Sequence, residues 1–177
     1  MMLWLYGLIL RLVTPAVFVW LWLRGRKDLR YRSHWAERLA LDTVSSNLQG
    51  CAIIHSVSVG ETLAAKRLIE QFVAQFPDEK VVITCMTPTA RSLIQTHFGN
   101  QVTCRYWPLD TPGSAKRFVS KLRPKTVWIM ETELWPQMLN SLAQASVPVC
   151  LLNARLSKRS AAGYRRFHRL LKSVWQQ

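Results

Sequence analysis

The chain has 177 residues, 49% of them apolar, and its 24 Lys and Arg against 10 Asp and Glu give a formal charge of +14. Such apolar content excludes a disordered basic tail, and the length suits one domain with an appendage. The charge excess predicts an anionic partner: nucleic acid, a membrane surface or a phosphorylated ligand. Cys51, Cys85, Cys104 and Cys150 show no zinc-site spacing. Buried, reduced thiols are expected, which favours a cytosolic compartment.

Met1–Leu23 is nearly all apolar, interrupted by Arg11, Thr14 and Pro15. It is long enough to cross a hydrocarbon core, which takes roughly 20 residues. A cleaved signal peptide does not fit, because there is no small-residue cleavage site and the basic residues follow the apolar run. A buried helix of a soluble protein is the alternative. Arg11 is costly in mid-bilayer and favours a tilted or interfacial helix. Trp4, Trp20 and Trp22 suit the headgroup level. Arg24, Arg26, Lys27, Arg30, Arg32 and Arg38 come next. By the positive-inside rule they keep the rest of the chain in the cytoplasm. Residues 24–50 thus read as a basic juxtamembrane segment that ends in a polar linker, Asp42–Gly50.

From residue 51 onward strands and helices alternate. Cys51–Val57 is a β-branched apolar run, as a buried strand requires. Ser58-Val59-Gly60 ends it, with Gly60 suited to a tight turn or a close backbone approach. Thr62–Phe76 is a helix with Ala65, Leu68, Ile69, Phe72 and Phe76 on one face. Lys80–Met86, Val102–Trp107, Thr126–Met130 and Val147–Leu152 are further strands. Helices are expected from Thr87-Pro88-Thr89 to Phe98, over Pro112–Leu122, after ETELWP to Ala145, and over Ser157–Trp175. This alternation predicts a Rossmann-like, doubly wound parallel sheet.

The topology gathers five loops on one edge: HSVSVGE, TPTAR, PLDTP, ETELWP and NARLS. Ligands bind at that edge in open α/β sheets. Helix caps account for part of the loop chemistry, since Thr89, Asp110 and Ser157 all fit near helix starts. Glu61 stands at the mouth of the first strand–turn–helix unit, where the helix dipole alone would favour an acid. Glu131 and Glu133 flank Thr132 directly after an apolar strand. Acids there are costly unless they are paired or face a cleft; the plain alternative is surface solvation. SVSVG lacks the first glycine of the hydrolase elbow, and neither dinucleotide nor P-loop fingerprints occur. The four histidines show no metal spacing, and His55, inside a strand, reads as a structural histidine.

RGRKDLRYRSHWAER, HSVSVGETLAA, TCMTPTAR, YWPLD, METELWP and NARLSKRSAAGY together resemble the 3-deoxy-D-manno-octulosonic acid (Kdo) transferases of lipopolysaccharide synthesis. The departures are modest: Ala90 and Ala40 stand where the family commonly has Gly. The resemblance implies a two-domain GT-B fold. This chain would then be the membrane anchor and the acceptor-side N-terminal domain, 51–177, without the C-terminal donor domain and inactive alone. The implied reaction moves Kdo from CMP-Kdo, the donor, to the lipid A precursor, with no metal and no cofactor. The resemblance makes Glu61 the general base and gives Glu131 a part in supporting the transition state. Around them Ser56, Ser58, Gly60, Thr87, Thr89 and Arg155 are expected to bind substrate. Arg24, Arg26, Lys27, Arg30 and Arg32 are expected to meet anionic inner-leaflet lipid, on the cytoplasmic face of a bacterial inner membrane. The membrane segment argues against nucleic acid as the anionic partner. A non-catalytic membrane module that binds anionic glycolipid or a partner protein is the competing reading.

Overall fold

Five apolar runs form one all-parallel sheet in a computed structural model that describes residues 2–131 and 133–154. The strands are β1 (Ala52–His55), β2 (Val81–Cys85), β3 (Thr103–Tyr106), β4 (Thr126–Met130) and β5 (Val149–Leu152), in spatial order β3-β2-β1-β4-β5. The three central strands are buried along nearly their whole length, which is why they lack polar alternation. The helices are α1 (Met2–Arg24), α2 (Trp35–Arg38), α3 (Val59–Gln75), α4 (Pro88–Phe98), α5 (Pro112–Leu122) and α6 (Pro136–Gln144). Successive strand residues point to opposite faces. Ile53, Val127 and Ile129 therefore join a core with Trp107, Phe118 and Met138. Ile54 and Ile83 join a second core with Ile69, Ile94 and Phe98. The predicted doubly wound α/β fold is thus present, and its two-layer cores hold the sheet's carboxyl edge rigid.

Several boundaries differ from the sequence reading, each for a local reason. Helix α3 starts at Val59, because Ser58 is its N-cap and draws Val59 and Gly60 into the first turn. Gly60 accordingly makes no left-handed turn. A Cβ there would meet only Ser58 Oγ, at 3.9 Å, so the expected close backbone approach is absent among the described residues. Thr87, not Thr89, caps α4; Thr89 is exposed in its first turn. Asp110 does not cap the adjacent α5, whose cap is Thr111. Instead it accepts from Gln137 N (3.0 Å) and Met138 N (2.8 Å) at the start of α6. Cys150 is exposed on β5 rather than buried, whereas Cys51 and Cys85 are buried as expected. The helix expected over Ser157–Trp175 lies outside the described residues.

The segment expected as a basic stretch and linker is folded onto the domain. Glu37 makes a bidentate pair with Arg91 (2.6 and 3.1 Å) and accepts from Tyr106 N at 2.8 Å. Arg38 is buried, with its guanidinium 3.9 Å from the Tyr106 ring centroid and both terminal nitrogens donating to Met86 O. Asp42 pairs with Arg105. Val44 and Leu48 of the linker pack against the core. Among the described residues, α1 alone is long and apolar enough to cross a membrane.

Candidate active site

Between β1 and β4 the sheet changes its direction of growth. The chain leaving β1 enters α3 on one face and the chain leaving β4 leads to α6 on the other. The two loops therefore part and open a crevice beyond the strand ends, the usual ligand position in such sheets. One loop carries Glu61 and the other carries Glu131 and Glu133. Strand register fixes how the loops face each other, with His55 opposite Ile129 at the last rung of the β1–β4 ladder.

Ser58 and Glu61 form a capping box, the S-x-x-E pattern of a helix start. Glu61 N donates to Ser58 Oγ at 3.4 Å. The Ser58 hydroxyl donates to Glu61 Oε1 at 2.9 Å, and Val57 N donates to Glu61 Oε2 at 2.7 Å. The carboxylate is 8% exposed and is held in one orientation. Each oxygen keeps a further lone pair, so the cap aims the acid without exhausting it.

Glu131 follows β4 with φ 60°, a left-handed conformation rare outside glycine. Its amide donates to Leu152 O at 2.7 Å, which extends the β4–β5 ladder and fixes the turn. A non-glycine residue in that region costs on the order of 1–3 kcal/mol and persists only where its surroundings enforce it. Glu133 is half-buried. Burial raises its carboxyl above the ordinary 4.5, and the negative charges of Glu61 and Glu131 raise it further. The Glu133 carboxyl thus lies within electrostatic reach of both Glu61 and Glu131. Among the described residues no group of His, Cys, Asp and Glu is arranged to hold a metal ion.

The structure brings together only part of the predicted site. Ser56 is fully buried, and its hydroxyl shares a hydrogen bond with Thr62 Oγ1 at 2.9 Å, so it braces the loop instead of facing the crevice. Ser58 holds Glu61. The hydroxyl oxygen of Thr87 accepts from Ala90 N at 3.2 Å. Gly60 and Thr89 are exposed at the starts of α3 and α4. Arg155 lies outside the described residues. Most of the loop polarity is therefore spent on caps and braces, which the sequence reading credited to ligands.

Of the basic residues after α1, Arg30 is engaged by Asp28 (2.8 Å) and donates to Ser92 Oγ (2.9 Å). Arg24 stacks over Trp20 at 5.0 Å, while Arg26 and Arg32 stack over Trp22 at 5.2 and 4.9 Å. Lys27 is exposed. The cluster remains cationic, but its guanidiniums are arranged on aromatic faces.

Glu133 and His55 both bear on the sequence reading, and His55 is the structural histidine expected there. Glu133, expected with Glu131 to be paired or to face a cleft, shares the field of Glu61 and Glu131. His55, buried completely, stacks on Trp107 at 4.1 Å and meets Trp135 edge-on at 6.1 Å. Its Nδ1 lies 3.0 Å from Thr84 Oγ1, and desolvation lowers its pKa to about 3, so the ring is neutral. This stack ties the loops after β1, β3 and β4 together. Each of the latter two loops carries a Trp-Pro pair, the legible trace of it.

A model of the family described as 3-Deoxy-D-manno-octulosonic-acid transferase (kdotransferase) matches residues 33–177. A 3-deoxy-D-manno-octulosonic acid transferase of Haemophilus influenzae is 35% identical over 173 residues, 97% of this chain and 40% of that protein. The Bordetella pertussis enzyme of the same name is 30% identical, over 88% of this chain and 38% of its own length. A probable mitochondrial transferase of that name from Arabidopsis thaliana is 30% identical over 84% of this chain and 33% of its length. The chain thus spans about two fifths or less of these relatives. With the matched region covering most of the chain, including the β1 and β4 loops, this protein belongs to the Kdo transferase family.

Proposed function

We propose that this chain is the acceptor-side part of a glycosyltransferase that moves Kdo from CMP-Kdo to the lipid A precursor at the cytoplasmic face of the inner membrane. One observation supports the chemical part: beside the sheet's switch point the Glu133 carboxyl is raised by burial and, further, by the charges of Glu61 and Glu131. In this reading Glu61 takes the proton from an acceptor hydroxyl as that oxygen attacks the anomeric carbon of Kdo. The bond to CMP breaks, and CMP leaves with the electron pair. A positioned base of this kind typically contributes about 10²–10⁴-fold. Glu131 supports the electron-poor sugar centre from across the crevice. The capping bonds serve the reaction by holding the Glu61 rotamer, so little reorientation remains to be done. The donor would be held mainly by the portion of the full-length relatives that this chain does not span.

The non-catalytic module is kept as a second reading, because both Glu61 oxygens already accept capping bonds. Single-turnover transfer in the enzyme of full family length, beside a thermal melt, separates the two. If Glu61 is the base, Glu61→Gln lowers kcat by roughly 10² or more. The glutamine still fits the capping box, so the melt should move little. If the acid only caps α3, turnover stays normal.

A further inference from the structure

We infer that α1 binds an anionic bilayer lying in the plane of one leaflet, with its outward face in the acyl boundary. The inference rests on how α1 is seated on the domain and is independent of the transferase reading. Both ends of the helix are fastened to the same domain. Near the N-terminus Gln137 Nε2 donates to Leu3 O at 2.7 Å, and the Tyr6 hydroxyl donates to Asp110 Oδ2 at 3.0 Å. Gly7 is buried so tightly that an added Cβ would lie 2.6 Å from Pro112 Cγ and 2.8 Å from Gln137 Nε2. At the other end Leu21 is 3% exposed, and Phe18 packs on Trp35 with ring centroids 5.1 Å apart. Trp35 opens α2, whose Glu37 and Arg38 are buried against the sheet's edge strand. From Tyr6 to Leu21 the helix covers about 22 Å of the domain, at 1.5 Å per residue. A helix that crosses a hydrocarbon core of about 30 Å must carry one end away from the domain and break one set of these contacts.

The face turned away from the domain suits lipid. Leu5, Leu12 and Val19 recur at heptad spacing on the side opposite Gly7 and Leu21, and they are 51%, 73% and 58% exposed. Trp4, Ile9 and Trp20 flank them, exposed by half or more. A contiguous row of exposed large apolar side chains on one helix face marks an interaction surface. Charge selects the occupant: Arg24, Arg26, Lys27, Arg30 and Arg32 stand at one end with Asp28 as the single acid among them. Basic groups beside an apolar helix face are the signature of an interfacial helix on anionic lipid. Arg11, exposed on the flank of the helix, can reach the headgroups from an in-plane helix, whereas a charge at mid-bilayer is costly. The dock also has a geometric consequence. Asp110, Pro112 and Gln137 belong to the strand-end edge that carries Glu61, Glu131 and Glu133, so the leaflet runs beside the crevice.

Depth measurement tests this on the whole chain. Leu5→Cys, Leu12→Cys and Val19→Cys, each with Cys150→Ser, receive a fluorescent label and are bound to vesicles of phosphatidylcholine and phosphatidylglycerol. Lipid-borne quenchers at graded depths then read the label position. All three positions are exposed, so the fold should survive, and circular dichroism checks it. The in-plane helix predicts one shared depth, about 5–10 Å into the headgroup and acyl boundary, with binding weakened by salt or by omitting phosphatidylglycerol. A spanning helix instead places Leu12 near the bilayer centre, with Leu5 and Val19 each about 10 Å shallower towards opposite leaflets. That pattern overturns the inference. So do labels that no lipid quencher reaches because a second copy of the chain covers the face.

Discussion

The acid Glu37 and the acids Glu61, Glu131 and Glu133 lie on the same sheet edge and are treated in opposite ways. Glu37 is buried but meets Arg91 in a bidentate pair and accepts from Tyr106 N. Burial alone would raise its carboxyl, yet these partners lower it below the ordinary value. Glu133 is only half-buried, yet burial raises its carboxyl, and the charges of Glu61 and Glu131 raise it further. The first arrangement holds the segment 29–48 against β3 and stabilises the fold. In the second, Glu61 caps α3, whereas among the described residues Glu133 meets burial and like charge. A carboxyl raised by burial and by like charge at a strand-end crevice fits a site that does chemistry. A strained backbone points the same way, since Glu131 is held at φ 60°.

The largest expected effect comes from unpairing the compensated acid. Arg91→Met leaves the Glu37 carboxylate buried without its partner, and breaking such a pair costs about 3–5 kcal/mol. Urea denaturation should show a loss near that size, while transfer per folded molecule in the full-length enzyme should be kept. Equal loss of turnover per folded molecule would move Arg91 into the site and dissolve the contrast.

Next come two glycine substitutions at left-handed residues. Ala40 has φ 51° and is buried; Glu131 has φ 60°. Either residue changed to glycine should gain about 1 kcal/mol from relief of the left-handed strain. The difference should appear in function: Ala40→Gly keeps transfer in the full-length enzyme, and Glu131→Gly loses it. If Glu131→Gly is both more stable and fully active, its strain serves no reaction.

A smaller effect separates the acids by pH. Glu133 has a folded pKa above its unfolded value, so its contribution is full below about 4.5 and is lost as pH rises through the folded pKa. Glu37 has a lowered pKa, so its contribution is full above about 4.5 and is lost as pH falls through the folded pKa. Glu133→Gln should therefore stabilise the chain at neutral pH, by about 0.5–1 kcal/mol. The advantage should shrink as the pH drops below 4.5, where the native acid is protonated in both states. Thermal melts of the two proteins across that range provide the check.

The sheet and its helices were legible because each strand is an apolar run and each helix has a turn signal before it. Pro112–Leu122 and Thr126–Met130 match their expected limits to the residue. The start of α3 was missed because Val59 and Gly60 are poor helix formers, although the S-x-x-E box was present in the sequence. What could not be read were partnerships between distant positions. Nothing near Asp110 says that it will cap α6 rather than α5. Nothing near Glu37 names Arg91, and so the segment 24–50 read as basic linker when its interior holds a buried ion pair and a buried guanidinium. At the candidate site the sequence offered Glu61 and Glu131. It could not reveal that Glu133 shares their field, because that depends on how the β1 and β4 loops face each other.

The carboxyl titration of Glu133 tests most directly whether Glu61 and Glu131 share its field at the crevice. Carbon-13 labelling of the glutamate side chains lets nuclear magnetic resonance follow it in the native chain, in Glu61→Gln and in Glu131→Gln. The account predicts a native midpoint above 4.5 and a fall towards that value in each variant, because each removes one of the two charges that raise it. A Glu133 midpoint at or below 4.5 that neither substitution moves would contradict it.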